Sequence, residues 1–209
     1  MIELDKTFWE ERWRQAQGHG AVQDWPPNPQ LVSEVDELTP GDALDAGCGQ
    51  GTDAFWLAAR GWRVTAVDFA DAALRRAQAN AEALDDAVAA RIDWRQADLS
   101  VWTPPEEHFD LVSSHYVHGV SPRDDLFRRL ASAVKRGGTL LIVGHHPLDH
   151  TTISGLSPEV YFSADDVAAC LEPDSWDIVV AETRTRSATD PHGRQITLHD
   201  AVLRARRRA

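Results

Sequence analysis

The chain has 209 residues, which suits one domain, and 43% of them are hydrophobic, so a substantial core can form. Its formal net charge is -12, from 33 acidic residues against 21 Lys and Arg, and a surface of that sign repels nucleic acid and anionic lipid. No apolar run approaches the roughly 20 residues that cross a bilayer. The two cysteines, Cys48 and Cys170, lie far apart, so we expect a reduced cytoplasmic protein with no nucleic-acid or membrane partner.

Residues 1–40 are predicted to form a helical arm or lid, separate from a domain at 41–209. Thr7 and Glu10 have the spacing of a capping box, and Trp9 and Trp13 lie one helical turn apart on the same face. Three prolines follow in the sequence DWPPNPQ, which is typical of a stiff surface segment. Two interpretations are open: the helix packs on the core through its indoles, or it covers a bound ligand.

From residue 41 onward, short runs of Val, Ile and Leu alternate with segments of helical period, as in a parallel sheet covered by helices. Strands are predicted at 43–46, 62–68, 91–98, 109–116, 139–146, 176–186 and 195–208. The last two are joined by a turn-rich connector of hairpin type. The pattern predicts an α/β fold with a doubly wound, mostly parallel seven-stranded sheet that ends in an antiparallel hairpin.

Capping residues and glycines predict where several helices begin and end. Thr52 is expected to cap the helix after strand one, and Ser163 to start a late helix. Ser121 is expected to cap another helix, with Pro122 at its first helical position. Gly137–Gly138 is expected to separate that helix from strand five.

The sequence LDAGCGQGT, residues 44–52, follows strand one directly. In an open parallel sheet, ligands bind at the carboxyl ends of the strands where the strand order reverses. Gly47, Gly49 and Gly51 give G-x-G-x-G rather than the dinucleotide spacing G-x-G-x-x-G. Asp45 would oppose a pyrophosphate by its charge. The turn therefore favours a ligand that carries an ammonium group.

The residues LDAGCGQG resemble motif I of the class I S-adenosylmethionine-dependent methyltransferases, and the resemblance covers nearly the whole chain. It implies a Rossmann-like fold, S-adenosyl-L-methionine as cofactor and transfer of its methyl group. The tryptophan-containing helix and the C-terminal region most resemble the small-molecule branch near the thiopurine and tellurite-resistance methyltransferases. That branch implies that Trp9 and Trp13 fold over the cofactor as part of a lid.

The same resemblance assigns cofactor contacts to residues at the strand ends. Asp45 and the glycines would hold the methionyl end, Asp68 the two ribose hydroxyls, and Asp98 the adenine amino group. Asp110, which opens strand four, is the least informative of the four acids. The complete predicted cofactor set is Trp9, Trp13, Asp45, Gly47, Cys48, Gly49, Asp68, Phe69, Ala97, Asp98, Leu99, Ser114 and His115.

Methyl transfer is an in-line displacement, so the protein mainly aligns its ligands, and a base is needed only if the acceptor must lose a proton. Histidine, with a pKa of about 6.5, suits that step near neutral pH. The candidates follow strands four and five: His118 and His146 first, then His115, Tyr116 and His145. A metal site is the alternative use of these side chains, but no carboxylate partner is fixed in the sequence, and we predict no metal.

The sequence leaves three functions open: a methyltransferase, a non-catalytic S-adenosylmethionine-binding module, and a nucleotide-dependent oxidoreductase. The acidic composition and the lack of a segment resembling a target-recognition domain favour a small-molecule methyl acceptor. Oxygen, nitrogen, sulfur and metalloid acceptors stay open, as does the oligomeric state.

Overall fold

The computed structural model describes residues 5–15, 26–118, 122–149, 157–189 and 193–209. The strands are β1 (Asp42–Ala46), β2 (Arg63–Asp68), β3 (Ile92–Gln96), β4 (Phe109–His115), β5 (Val134–His145), β6 (Trp176–Thr189) and β7 (Gln195–Arg207). The helices are α1 (Lys6–Gln15), α2 (Pro29–Val35), α3 (Thr52–Ala59), α4 (Asp71–Ala81), α5 (Asp86–Ala89), α6 (Arg123–Ser132) and α7 (Ala164–Ala168). Short 3-10 turns occupy Pro147–Asp149 and Pro158–Val160.

All seven strands form one sheet in the order β3-β2-β1-β4-β5-β7-β6. The first five strands in that order run parallel, and β7 is antiparallel to both of its neighbours, β5 and β6. The predicted Rossmann-like sheet with a C-terminal hairpin is therefore confirmed. The strand order reverses between β1 and β4, which opens a crevice at their carboxyl ends.

The core lies on both faces of the sheet. Leu140 and Ile142 of β5 pack with α6 and α7 on one face, whereas Leu141 and Val143 pack with α2 and α3 on the other. Successive side chains of a strand point to opposite faces, so a strand covered on both sides is apolar throughout. That explains the uninterrupted sequence LLIV in β5. In the segment 26–40, the Leu31 and Val35 side chains of α2 are buried in the same core.

Two helix starts differ from the predictions. The Phe8 N–H donates to Asp5 Oδ1 (2.8 Å), so Asp5 rather than Thr7 caps α1. Gly51 is the N-cap of α3, with a left-handed φ of 88°, and Thr52 is the first helical residue. Glycine takes that cap because a β-carbon there is strained at positive φ and would lie 2.5 Å from Trp94.

The region from α6 to β5 also differs. Pro122 is the N-cap of α6 rather than a residue of its first turn, and Ser121 lies outside the described residues. Gly137 and Gly138 lie inside β5, so the predicted break there is wrong. The β4–β5 register shifts here, and a β-carbon on Gly138 would lie 3.0 Å from the Asp110 carbonyl oxygen. The glycines therefore permit a bulge instead of ending the element.

The start of α7 agrees with the prediction. Ser163 Oγ accepts from the Asp166 N–H (3.2 Å), and Asp166 Oδ2 accepts from the Ser163 N–H (2.8 Å), which completes a capping box. Among all the helices in the described ranges, none is long and apolar enough to cross a bilayer.

Candidate functional site

A cavity of about 370 Å³ lies at the carboxyl ends of β1, β2 and β4, where the strand order reverses. Its size falls within the roughly 300–1,000 Å³ of small-molecule sites. The predicted site residues that line it are Trp9, Trp13, Gly47, Gly49, Asp68, Phe69, Asp98, Leu99, His115, Tyr116 and His118. The sequence did not point to Asp5, Lys6, Ser100 and Val117, which also line it. The lining does not include Asp45, Cys48, Ala97, Ser114, His145 or His146.

The glycine turn forms one wall of the cavity through its backbone. Gly47 and Gly49 have φ values of 84° and 54°. A β-carbon on Gly47 would lie 2.3 Å from Val117 Cγ2, and one on Gly49 would lie 3.1 Å from Trp13 Cζ2. Glycine is therefore required at Gly47 by conformation and by space, and a ligand can approach the main chain closely.

Asp68, the last residue of β2, braces this turn from the cavity side. Its Oδ2 accepts from the Gly49 N–H (2.9 Å) and its Oδ1 accepts from the Ala70 N–H (2.9 Å). Burial raises the pKa of Asp68, against the lowering effect of the backbone hydrogen bonds. Because each carboxylate oxygen can accept a second hydrogen bond, Asp68 keeps acceptor capacity for ligand hydroxyls.

Asp98 also lines the cavity and is exposed. Its Oδ1 accepts from the Ser100 N–H (2.8 Å), and hydrogen bonds from the Ser100 hydroxyl and backbone lower the pKa of Asp98. The carboxylate is therefore an ionised acceptor. Leu99 beside it is buried and also lines the cavity.

A cluster of buried charged groups lies against the glycine turn. Asp45 is 2% exposed, and its Oδ2 has no hydrogen-bond partner among the described residues. Burial, together with the charge of Asp53, raises the pKa of Asp45 to about 7, while His115 lowers it. His115 Nδ1 lies 2.8 Å from Asp53 Oδ2. The sequence did not reveal Asp53, which has the appearance of an ordinary first-turn helix acid.

His118 and Tyr116 line another part of the cavity. His118 Nδ1 lies 2.6 Å from the Tyr116 carbonyl oxygen. A carbonyl only accepts, so Nδ1 carries the hydrogen and the lone pair is on Nε2. Burial, with the nearby His145, lowers the pKa of His118 to about 4, which keeps the ring neutral. Its ring contacts the rings of Trp9 (5.9 Å) and His145 (5.2 Å) edge-on.

His145, the last residue of β5, and His146, which follows it, lie outside the cavity. His145 packs behind it, with ring centroids 4.8 Å from Tyr116 and 6.4 Å from Tyr161. His146 Nδ1 accepts from the Leu148 N–H (3.2 Å), so that ring is used in a local turn. No group of three or more His, Cys, Asp or Glu side chains in the described ranges could hold a metal ion.

Helix α1 closes the cavity from above with Trp9 and Trp13. It contains no buried residue. Its Glu10 side chain attaches it to the start of α4. Glu10 Oε1 accepts from the Asp71 N–H (2.7 Å) and Oε2 from the Ala72 N–H (3.3 Å). These donors are the first two residues of α4, where the helix dipole favours an anion. The acid that the sequence assigned to a capping box in α1 therefore caps α4 instead.

Comparisons with known proteins agree with this arrangement. The methyltransferase-domain family matches residues 43–138. A trans-aconitate 2-methyltransferase from Rhizobium meliloti is 31% identical over 128 residues, covering 60% of this chain and 47% of its own. A glycine N-methyltransferase from Oryctolagus cuniculus is 29% identical over 140 residues, which are 58% of this chain and 47% of its own. This chain spans about half the length of these curated relatives.

Two solved structures share the fold over almost the whole chain. One comes from work on the conversion of a disulfide bond into a thioacetal group during echinomycin biosynthesis. It has a TM-score of 0.73 at 22% identity and covers 97% of this chain and 91% of that one. TehB from Haemophilus influenzae has a TM-score of 0.64 at 18% identity and covers 98% of this chain and 67% of that one. These structures show the fold, and the strand order with the methyltransferase domain matched at residues 43–138 supports the class I S-adenosylmethionine-dependent methyltransferases as its family.

Proposed function

We propose that the protein transfers a methyl group from S-adenosylmethionine to a small-molecule acceptor. One observation carries the proposal: a single cavity at the β1–β4 crossover joins the glycine turn and the Asp68 carboxylate to a wall of neutral aromatic side chains. The first part suits the cofactor, and the second suits an acceptor.

The residues present fit the cofactor. Asp68 Oδ1 and Oδ2 have acceptor capacity for the two ribose hydroxyls, and Phe69 lies beside them for the adenine. The Asp98 carboxylate can accept from the adenine amino group. Asp45 Oδ2, which has no partner within the described ranges, suits the ammonium, directly or through one water.

When bound, the cofactor supplies a methyl group already activated by its sulfonium. The role of this chain is then to orient the cofactor and the acceptor and to exclude water. Trp9 and Trp13 cover the cavity for that purpose. His118 holds its lone pair at Nε2 on the acceptor side, where it can receive a proton from an acceptor that must lose one.

The acceptor side favours a small, uncharged aromatic or soft nucleophile. Trp9, Tyr116, Val117 and His118 line it, and the lowered pKa of His118 keeps that ring uncharged. The names of the two curated relatives, trans-aconitate 2-methyltransferase and glycine N-methyltransferase, each refer to a small molecule. The net charge of -12 argues against a nucleic-acid acceptor. A cytoplasmic location stays part of the proposal.

The proposal can be tested with labelled S-adenosylmethionine and a panel of phenols, thiols, amines, carboxylic acids and metalloid oxyanions. Label transfer above the non-enzymatic background to at least one acceptor is the expected result. Tight binding of S-adenosylhomocysteine with no transfer to any acceptor would instead indicate a non-catalytic binding module. Affinity for a dinucleotide in its place would indicate an oxidoreductase.

Replacing His118 by Gln is expected to lower kcat by about tenfold, below the 10²–10⁴ typical of general bases, because a pKa of about 4 makes a weak base. The wild-type rate should show no His118 titration between pH 5 and 8, since the group is unprotonated throughout that range. His146→Gln is the matched control and should leave the rate unchanged, because that ring lies outside the cavity. Initial rates across this pH range check both statements, and equal losses in the two variants would contradict the assignment.

Replacing Glu10 by Ala is expected to weaken binding of S-adenosylhomocysteine by about fivefold, since helix-capping interactions contribute about 1 kcal/mol. Glu10 does not line the cavity, so the loss comes from looser attachment of α1. The control is Glu11→Ala on the exposed side of the same helix. Calorimetry and the dissociation rate followed by tryptophan fluorescence measure the effect. An unchanged dissociation rate in Glu10→Ala would rule out the attachment role.

A further inference from the structure

His115 is a fully enclosed titratable side chain that still reaches the cavity wall. It ends β4, its side chain is 5% exposed, and it is among the cavity-lining residues. Its Nε2 has no hydrogen-bond partner among the described residues. Leaving a buried polar atom unpaired is costly, so the atom is suited to pair with a bound ligand.

Asp53 determines the proton on the other ring nitrogen. Its Oδ1 accepts from the Asn28 N–H (2.7 Å), and its Oδ2 lies 2.8 Å from His115 Nδ1. Burial would raise the pKa of Asp53, but the hydrogen bond and charge of His115 outweigh it, so that the pKa is lowered. An ionised carboxylate can only accept, and His115 Nδ1 therefore carries a hydrogen.

The two neighbouring carboxylates favour a second proton on the ring. Burial lowers the pKa of His115, but the hydrogen bond and charge of Asp53 and the charge of Asp45 raise it above the ordinary value. Two buried carboxylates beside one imidazole leave negative charge that a protonated ring compensates. Nε2 is then a charged donor, which gives it a role other than the base predicted from the sequence.

Asp45 supplies the complementary group. Its Oδ2 is also buried and without a partner among the described residues. Asp45 Oδ2 and His115 Nε2 thus offer an anionic acceptor and a cationic donor close to the same glycine turn, and neither atom has a partner in the described part of the chain. An α-amino acid carries an ammonium and a carboxylate on one carbon and satisfies both.

We propose that His115, oriented by Asp53, binds the carboxylate of the cofactor's methionyl end through its Nε2–H, opposite the ammonium that faces Asp45. The proposal rests on the proposed function, because it takes S-adenosylmethionine as the ligand. His115 is then a cofactor-binding residue, and Asp53 is a positioning residue that acts through it.

The test compares two ligands that differ by one group, S-adenosylhomocysteine and its decarboxylated analogue. Calorimetric titrations are made at pH 7 with the wild type, His115→Gln and Asp53→Asn. We expect both variants to bind S-adenosylhomocysteine about tenfold more weakly, as loss of a charge-assisted hydrogen bond predicts. We expect their affinity for the decarboxylated analogue to be unchanged, so that the preference of the wild type for the carboxylate is lost.

The control is His108→Gln, at the opposite end of β4, where the ring packs on Phe109 at 4.8 Å. It should behave as the wild type with both ligands. If His115→Gln weakened the binding of both ligands equally, His115 would have only a structural role, and the proposal would be overturned. Unchanged affinity of this variant for S-adenosylhomocysteine would overturn it as well. If neither variant folds, ¹⁵N NMR of the wild-type ring decides: a neutral His115 at pH 7 overturns the proposal, and an imidazolium supports it.

This experiment separates the two proposals. Wild-type protein that binds neither ligand would overturn the proposed function and this inference together. Wild-type protein that binds S-adenosylhomocysteine, with loss of the carboxylate preference in the variants, supports the inference even if no acceptor is methylated.

Discussion

Asp45→Asn is expected to make the ligand-free protein more stable at pH 8. The same variant is expected to bind S-adenosylhomocysteine about 10- to 100-fold more weakly, which corresponds to the free energy of a charge-assisted hydrogen bond. The gain in stability arises because the folded protein holds the Asp45 carboxylate buried, beside Asp53. Asn removes that charge with little change of shape. The ligand loses the charged partner that its ammonium would have had.

The pH dependence of this gain has a definite sign. The pKa of Asp45 is about 7 in the folded chain and about 3.9 unfolded. Between these values the folded state binds more protons, so the wild type loses stability as pH rises towards 7. The advantage of Asp45→Asn should therefore be absent near pH 4 and reach on the order of a few kcal/mol above pH 7.

Urea denaturation at several pH values, with calorimetry at pH 8, measures both effects. Asp42→Asn is the matched control, since that carboxyl is ion-paired at the far end of β1 and its pKa is lowered. A variant that loses affinity but gains no stability at pH 8 would show that the Asp45 carboxyl is protonated or solvated in the ligand-free chain.

Asp68→Ala is expected to weaken cofactor binding by about 1–3 kcal/mol and to reduce the free energy of unfolding as well, because backbone donors lose their partner. The Gly49 and Ala70 N–H groups both donate to this carboxylate. The glycine turn and the start of α4 would therefore lose a common support. Asp68→Asn keeps one carbonyl oxygen and should fall between the wild type and Ala in both measurements.

Calorimetric titration and urea denaturation of both Asp68 variants check this expectation. Asp71→Ala is a suitable control, because its carboxylate forms an exposed ion pair with Arg75. Unaltered affinity in Asp68→Ala would mean that the end of β2 does not hold the ribose.

The strands were predictable because their chemistry is local. A strand buried on both faces has to be apolar at successive positions, as Leu140 to Val143 show. The ends of elements were less predictable, since they depend on neighbours in space. Thr52 is a reasonable cap by composition, but the packing of Trp94 and the left-handed φ give that place to Gly51.

The residues of the candidate site were also predictable where their signal is local, and were missed where it depends on distant neighbours. The family resemblance assigned Asp68 and Asp98 to the site, and both line the cavity because the carboxyl ends of parallel strands converge. Asp53 and Glu10 were missed because their partners, His115 and Asp71, lie 62 and 61 residues away. Neither contact has a local spacing that a sequence can reveal.

One consequence of α1 concerns the kinetic order of the reaction. Trp13 on this helix lies against Gly49 on the proposed cofactor side, and Trp9 contacts His118 on the proposed acceptor side. In the proposed reaction both ligands would therefore pass the same helix as they enter and leave. Because α1 buries no residue of its own, its release leaves the core intact. Such a shared entrance favours a sequential mechanism in which opening of the helix, rather than methyl transfer, sets the turnover rate.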